Sequence, residues 1–387
     1  MIIESTVSPV LKIGLQCLGI WPGVPYSTVY WLSFILTLLI AQYFQYSYAF
    51  HHLKMSEFSN LFENLIATLE YTMTIFKLST LWIHRQVLHQ ILTIIDNDWR
   101  ECINTDLYLN IMMDKANVSH FICHTALGIN VITAAFYLLG DYVISSLFQM
   151  ESYNDTLRQL PIKLHFPFDV QQSPTFECIF VIICLHIMLH AITLALINGL
   201  IFTLVLHASG QIDIICQEFK NISKNVLVHK SSVPLFGILI ERHERVILFS
   251  DNIEKLFSFI ALIQVVWNTL VICCVGFFII ISIHNETGTI MVAKTVLVYI
   301  AVTIEIFAMC FIGEYLSFKS ESITSSTYDA LWYDMPTTQA RIILFILMRS
   351  QRQITITAGK ITDMSFETFT NIMKATVSYI SVLNAMH

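Results

Sequence analysis

The sequence predicts an all-α membrane protein with seven transmembrane helices and a cytosolic N-terminus. Three observations predict it: a composition short of charge, seven apolar stretches of spanning length, and a lopsided distribution of lysine and arginine. Of 387 residues, 13% are charged and 55% hydrophobic, with 27 phenylalanines and a mean hydropathy of +0.66. A soluble domain carries roughly 25% charged residues, so most of this chain's surface must face lipid rather than water. The same numbers exclude a disordered chain. A net charge of −7 and a pI near 6.0 leave no basic field to recruit nucleic acid. The nine cysteines show no C-x-x-C spacing and sit mostly inside apolar runs, where cysteine acts as a small hydrophobe.

Taken in order, residues 1–25 form a cytosolic or interfacial segment. Val10, Leu11, Leu15 and Leu18 share one helical face, ended by Pro22 and Gly23, and no charged n-region precedes them. A short helix lying at the membrane surface is expected. A spanning helix needs about 20 mostly apolar residues. Such stretches lie at roughly 26–50, 64–83, 118–148 and 176–206, which form a bundle of four, then at 258–283, 293–315 and 365–386. Between spans four and five, residues 207–257 carry Ile212, Ile215, Phe219 and Ile222 at helical spacing, so both helices are expected to extend below the membrane, with a break at Ser231 to Pro234. Residues 316–364 form an anchor region on the same side. Its Ile342 to Met348, flanked by Arg341 and Arg349, is too short to cross and reads as a helix buried in protein. The seventh span is more polar than a lipid-facing helix should be.

Seven spans place the chain ends on opposite sides. Of the 21 lysines and arginines, 15 fall in residues 1–25, 84–117, 207–257 and 316–364, and 4 on the other side. The positive-inside rule puts the first set in the cytosol and the C-terminus outside. Sequons at Asn154 and Asn285 then fall in external loops, as glycosylation requires, while those at Asn117 and Asn221 fall on the cytosolic side. This orientation excludes a G-protein-coupled receptor, and neither Asp-Arg-Tyr after span three nor Asn-Pro-x-x-Tyr in span seven is present. No repeat suggests a secondary transporter, the least favoured alternative.

The C-terminal segment is the most specific. It reads Ser326-Thr-Tyr328-Asp-Ala-Leu-Trp332-Tyr333, Leu347-Met-Arg349-Ser350-Gln351, Thr357-Ala358-Gly359-Lys360, Ser365-Phe-Glu-Thr-Phe369 and Lys374-Ala-Thr-Val-Ser378-Tyr379. This resembles the signature of insect odorant receptors; Gly19-Ile20-Trp21-Pro22 and Gly313-Glu314 also resemble family positions. The insect gustatory receptors are the alternative within the superfamily, and the Thr357-Ala-Gly359 and Ser378-Tyr379 pattern favours the odorant branch. The resemblance implies an odorant receptor subunit of a ligand-gated, non-selective cation channel, needing no G protein. It implies a plasma-membrane location on olfactory neuron dendrites and a hetero-tetramer with a shared co-receptor. The 207–257 segment is too short for that co-receptor, so the chain resembles the ligand-tuning subunit. The final helix is then split into a cytosolic piece and a pore-lining piece, residues 365–387.

By the same resemblance span seven lines the pore, with Ser378 and Ser381 on its wall, Val382 at the hydrophobic gate and Ala385 one turn further out. A ring of apolar side chains stops ions by denying them hydration. The pocket for a small volatile molecule opens among the outer halves of spans two to six. Candidates are Leu69, Thr72, Met73 and Phe76; Thr133, Phe136, Tyr137 and Gly140; Phe180, Ile183 and Ile187; and Phe277 with Phe278. Glu305 and Lys374 lie at equal depth, so an intramembrane ion pair between them is expected. His186 and His190 have metal-pair spacing without a third ligand, and Glu241-Arg-His-Glu-Arg245 reads as a solvated helix face. Glu70 and Lys77 are too far apart on one helix to pair. No catalytic set, metal site or cofactor motif is present, so no enzyme is expected.

Overall fold

The computed structural model describes residues 5–52, 58–147, 160–227, 233–284 and 289–386, and among these ten α-helices, a short 3-10 helix (Trp332–Asp334) and one two-stranded hairpin make up the regular structure. Asn154 and Asn285 lie outside the described residues.

α1 (Pro9–Cys17) starts where sequence demands: Pro9 needs no N–H partner in a first turn, and Ser8 caps the helix by accepting from the Leu11 amide at 3.2 Å. Its apolar face is not laid on lipid. Leu11 and Leu15 are fully buried, and Gly14 meets the Leu196 side chain, so α1 packs on α6 and α5. Protein offers this face more apolar partners than a membrane surface would, which corrects the surface-helix expectation.

α2 (Ser27–His52), α3 (Phe58–Ile83), α5 (Asp106–Leu147), α6 (Thr175–Leu227), α7 (Val233–His284), α8 (Thr289–Tyr328) and α10 (Phe366–Met386) form the seven-helix bundle. Among the described residues α2, α5, α6, α7 and α8 are long and apolar enough to cross a membrane by composition alone. The 26 residues of α3 and 21 of α10 are also long enough at 1.5 Å per residue but more polar. α3 is polar because protein surrounds it: Asn64, Thr68, Tyr71, Thr74, Lys77 and Leu81 are all buried. α2 instead turns Val29, Leu32, Leu36, Leu39 and Tyr43 outward.

α6 and α7, at 53 and 52 residues, are each about 80 Å long, far beyond a ~30 Å hydrocarbon layer. Their lower halves make a base with α1, α4 (Arg85–Cys102) and α9 (Thr337–Ser350). Of the break expected at Ser231 to Pro234, Ser231 and Ser232 lie outside the described residues and Val233 and Pro234 begin α7. α4 buries Leu88, Ile91, Leu92, Ile95 and Trp99, the i, i+3, i+4, i+7 stripe of an amphipathic helix.

α9 departs from expectation. Ile343 and Ile346 are buried against the base, but Leu344, Phe345 and Met348 face outward. An apolar run longer than one helical stripe cannot be covered on one side by a single neighbour. After α9, β1 (Thr357–Ala358) and β2 (Thr362–Asp363) pair antiparallel and lead into α10.

Candidate functional site

The joint between α9 and α10 is built from the motif residues of the C-terminal segment. Glu254 on α7 accepts from the Thr357 amide at 2.9 Å and from the Thr357 hydroxyl. The Gly359 amide donates to the Ser258 carbonyl at 2.9 Å, and the Met364 amide to Ile356 at 2.8 Å. The hairpin is therefore clamped to α7. On α8, Gly313 lies against Met364: a Cβ there would sit 2.2 Å from the Met364 carbonyl oxygen. The next residue, Glu314, accepts from the Phe366 amide at 3.2 Å, and Ser365 accepts from the Thr368 amide at 3.2 Å. Both satisfy amides that the first turn of α10 leaves without helical partners. Phe307 on α8 packs on Phe366 and Phe369, at ring centroid distances of 6.0 and 5.3 Å.

From this joint α10 rises with two unlike faces. Ile372 and Thr376 are buried, and Ile380 reaches Gly276 on α7. The opposite face carries Asn371, Lys374, Ser378, Ser381 and Val382, all exposed, Val382 by 55%. The Ser381 hydroxyl donates to the Val377 carbonyl at 2.8 Å, so it needs no partner from another helix. The mixture is too polar for lipid. The side chain of Ala385 lies outside the described residues.

The centre of the bundle is polar too. The Lys77 ammonium, 1% exposed, lies 2.6 Å from the Glu305 carboxylate. Asn198 on α6 and Asn268 on α7 donate to the same carboxylate at 3.3 and 3.5 Å. One acidic group thus fastens α3, α6, α7 and α8. This overturns the pairing of Glu305 with Lys374, whose side chain lies on the exposed face of α10. Equal depth in the sequence says nothing about which way a helix is rotated, and rotation decides the partner. The signal available was that an intramembrane lysine needs a partner; Lys77 and Lys374 both gave it. Around this pair, the Tyr71 hydroxyl meets His186 Nδ1 at 3.1 Å, and Thr74 Oγ1 meets His190 Nε2 at 2.8 Å. The Tyr71 ring stacks on His190 at 4.4 Å. The histidine pair is therefore spent on α3. Among the described residues no group of three metal-capable side chains occurs.

The family described as 7tm Odorant receptor matches residues 57–377, most of the chain. The chain belongs to the odorant receptor family. Odorant receptor 10 of Aedes albopictus is 23% identical over 256 residues, 63% of this receptor and 65% of that protein. Odorant receptor 2a of Drosophila melanogaster is 30% identical over 141 residues, 36% and 35% of the two chains. The matched stretches thus span about a third to two thirds of these relatives. The insect olfactory receptor OR5 of Machilis hrabei, solved alone and in complex with eugenol, superposes with a TM-score of 0.75 at 14% identity, covering 97% of each chain. Its fold is the seven-helix fold described above. The relatives are receptors, and this receptor is not an enzyme.

The receptor distributes its predicted pocket residues unevenly. Met73, Ile183, Ile187 and Phe278 are buried between helices. Leu69, Thr72, Thr133, Tyr137, Phe180 and Phe277 are half-buried, and Phe76 is exposed. Thr72 accepts from Gln42 Nε2, and the Leu69 carbonyl accepts from the Trp267 indole at 2.7 Å. Phe136 is corrected: with Ile129, Ile132 and Leu139 it forms an i, i+3, i+7, i+10 stripe on the outside of α5, exposed by 59%, so it does not line a space between the helices. The Gly140 position in α5 lies outside the residues whose side-chain surroundings are described. Reasoning from apolar type alone missed the buried amides Gln42, Gln45 and Asn64, which line the α2–α3 contact.

The base of the receptor corrects one further reading. Glu241 to Arg245 is solvated on one side only: Glu241 and Glu244 are exposed, while the rest turns into the base. Arg242 is buried, bonded to Gln211 at 3.1 Å, and Arg245 contacts Asp98 at 3.0 Å, Glu101 at 2.6 Å and Glu241 at 3.1 Å. Asp98 also takes His207 Nε2 at 3.0 Å, whose Nδ1 meets Thr6 at 3.0 Å, while the Trp99 indole donates to Thr6 at 3.0 Å. This chain of bonds ties the N-terminal segment to α4, α6 and α7. His243 is buried as well; burial and then the nearby Arg349 charge hold its pKa down to about 4. At Lys115 burial opposes the charge, but the Asp213 carboxylate at 2.9 Å outweighs it and holds the pKa above the usual range.

Proposed function

We propose that this chain is the ligand-tuning subunit of an odorant-gated, non-selective cation channel in the plasma membrane, assembled with a shared co-receptor. The base lies in the cytosol, as the basic residues favour, and the distal end faces outward. The observation that carries the reading is the exposed face of α10. A helix packed on one side by α7 and α8, with Asn371, Lys374, Ser378, Ser381 and Val382 in line on the other, suits the wall of a water-filled path shared between subunits. Val382 is the constriction that closes this path by dewetting. The outward face of α9, with Phe345 and Met348, meets a neighbouring subunit.

The odorant enters the outer half of the bundle among Met73, Tyr137, Ile183, Ile187 and Phe278. Apolar burial there supplies most of the affinity at roughly 25 cal/mol per Å². That the related OR5 of Machilis hrabei was solved with eugenol supports a small volatile ligand. The test is to co-express the chain with the co-receptor and record currents while applying volatiles. Ser378→Cys and Val382→Cys should each render the current sensitive to a charged thiol reagent. Surface-expressed protein with no current to any volatile, or with currents that the reagent leaves untouched, would overturn the pore assignment.

A further inference from the structure

At the edge of the base, the turn after α1 and the start of α4 enclose a cleft of about 420 Å³, within the ~300–1,000 Å³ range of small-molecule sites. Gly19 to Gly23 form one wall, and Trp82, Arg85, Gln86 and His89 the other. The wall is built rather than loose. Gly19 has φ +71°, and a Cβ there would sit 2.2 Å from the Ser27 carbonyl oxygen, so only glycine lets the turn close onto α2.

Three features give the cleft its chemistry. The Arg85 guanidinium lies 4.5 Å over the Trp82 ring, which stacks at 4.8 Å and 11° on Trp31. Lys12, outside the cleft lining itself, lies 5.8 Å over the ring of Trp21, which belongs to the facing wall. Two cations are thus each positioned on an indole, and no carboxylate lines the cleft. Among the described residues neither cation makes an ion pair, whereas Arg245, Lys115 and Lys319 nearby in the base are all neutralised by carboxylates. One cation in the wall, a second beside it on the facing indole and no competing acid make an anion site.

The cleft's height is also defined. On one side Tyr26, Val29, Tyr30 and Leu32 of the α2 start, and Ile83 at the end of α3, are exposed and apolar. On the other, Arg85, Gln86, His89 and Gln90 are exposed and polar. The boundary between hydrocarbon and water therefore runs through the cleft, at the level where tryptophan and tyrosine collect. We propose that this cleft binds the phosphate headgroup of an anionic lipid in the adjoining leaflet. The proposal rests on the orientation given above, which places the cleft at the anionic cytosolic leaflet.

The test uses the full chain purified with its partner subunit and reconstituted in phosphatidylcholine nanodiscs. A photoactivatable phosphatidylinositol phosphate is added at low fraction, and labelled peptides are mapped by mass spectrometry. Label is expected in residues 19–31 and 82–90, with little from a photoactivatable phosphatidylcholine. Arg85→Gln and Lys12→Gln should each lower labelling by about fivefold, the share expected of one basic residue at a membrane surface. Arg85→Lys should retain most of it and reports that the fold is intact. Equal labelling by phosphatidylcholine, or labelling unchanged in the doubly substituted protein, would overturn the site. If soluble inositol trisphosphate binds the cleft as tightly in detergent as the lipid labels it in the bilayer, the occupant is a free polyphosphate and the lipid assignment falls. Labelling is read without odorant or current, so a receptor that labels but does not conduct would sink the channel reading alone.

Discussion

Replacing Lys77 with methionine should be the most damaging single change in the bundle. The ammonium is 1% exposed and 2.6 Å from Glu305, whose side chain is 14% exposed. Without it, the Glu305 carboxylate keeps only the amides of Asn198 and Asn268, at 3.3 and 3.5 Å. Leaving one charge of a buried pair unmatched costs about 3–5 kcal/mol, or about two to three and a half orders of magnitude in folded fraction. Glu305→Gln should cost less, because the buried Glu70 carboxyl also lies within electrostatic reach of Lys77. The double change Lys77→Met with Glu305→Gln removes both charges, so it should cost less than the sum by about 2 kcal/mol or more. The exposed Lys374→Met should stay within about 0.5 kcal/mol of the parent. Thermal retention of the monodisperse, fluorescently tagged receptor with its partner measures all four. If the two single changes simply add in the double, or Lys374→Met proves as costly as Lys77→Met, the assignment of Glu305 to Lys77 is wrong.

Two further outcomes are expected. Gly313→Ala places a Cβ 2.2 Å from the Met364 carbonyl, and forcing the α8–α10 joint apart should cost about 1–3 kcal/mol. It should cut ligand-evoked current more than surface expression, measured by surface biotinylation beside recordings. His243 has a pKa held near 4 in the fold, against about 6.5 in the unfolded chain. The unfolded state therefore binds the extra proton, and stability is full above pH 6.5 and falls as pH drops from there toward 4. Thermal midpoints at pH 7 and pH 5 should differ by less in His243→Gln than in the parent; an equal difference would count against a buried neutral imidazole.

Much of the fold was legible in the chain. Five of the seven bundle helices, α2, α5, α6, α7 and α8, and the helical spacing across residues 207–257 follow from local rules: a helix in lipid satisfies its own backbone, so hydrophobic length reports those crossings, while α3 and α10 are more polar than that rule alone would pass. The motif residues Gly313, Glu314, Thr357, Gly359 and Ser365 were also visible, though only the structure shows them meeting at one joint. What sequence could not supply was rotation about each helix axis. Rotation sends Phe136 outward and Met73 inward, gives Glu305 to Lys77 instead of Lys374, and turns Arg242 and Arg245 from a charged face into an ion network while Glu241 and Glu244 stay exposed. Hydropathy measures how much of a helix must avoid water. In a bundle surrounded by lipid, apolar side chains are equally content inside and outside, so composition cannot orient a helix, and only the polar groups seeking partners across helices fix it.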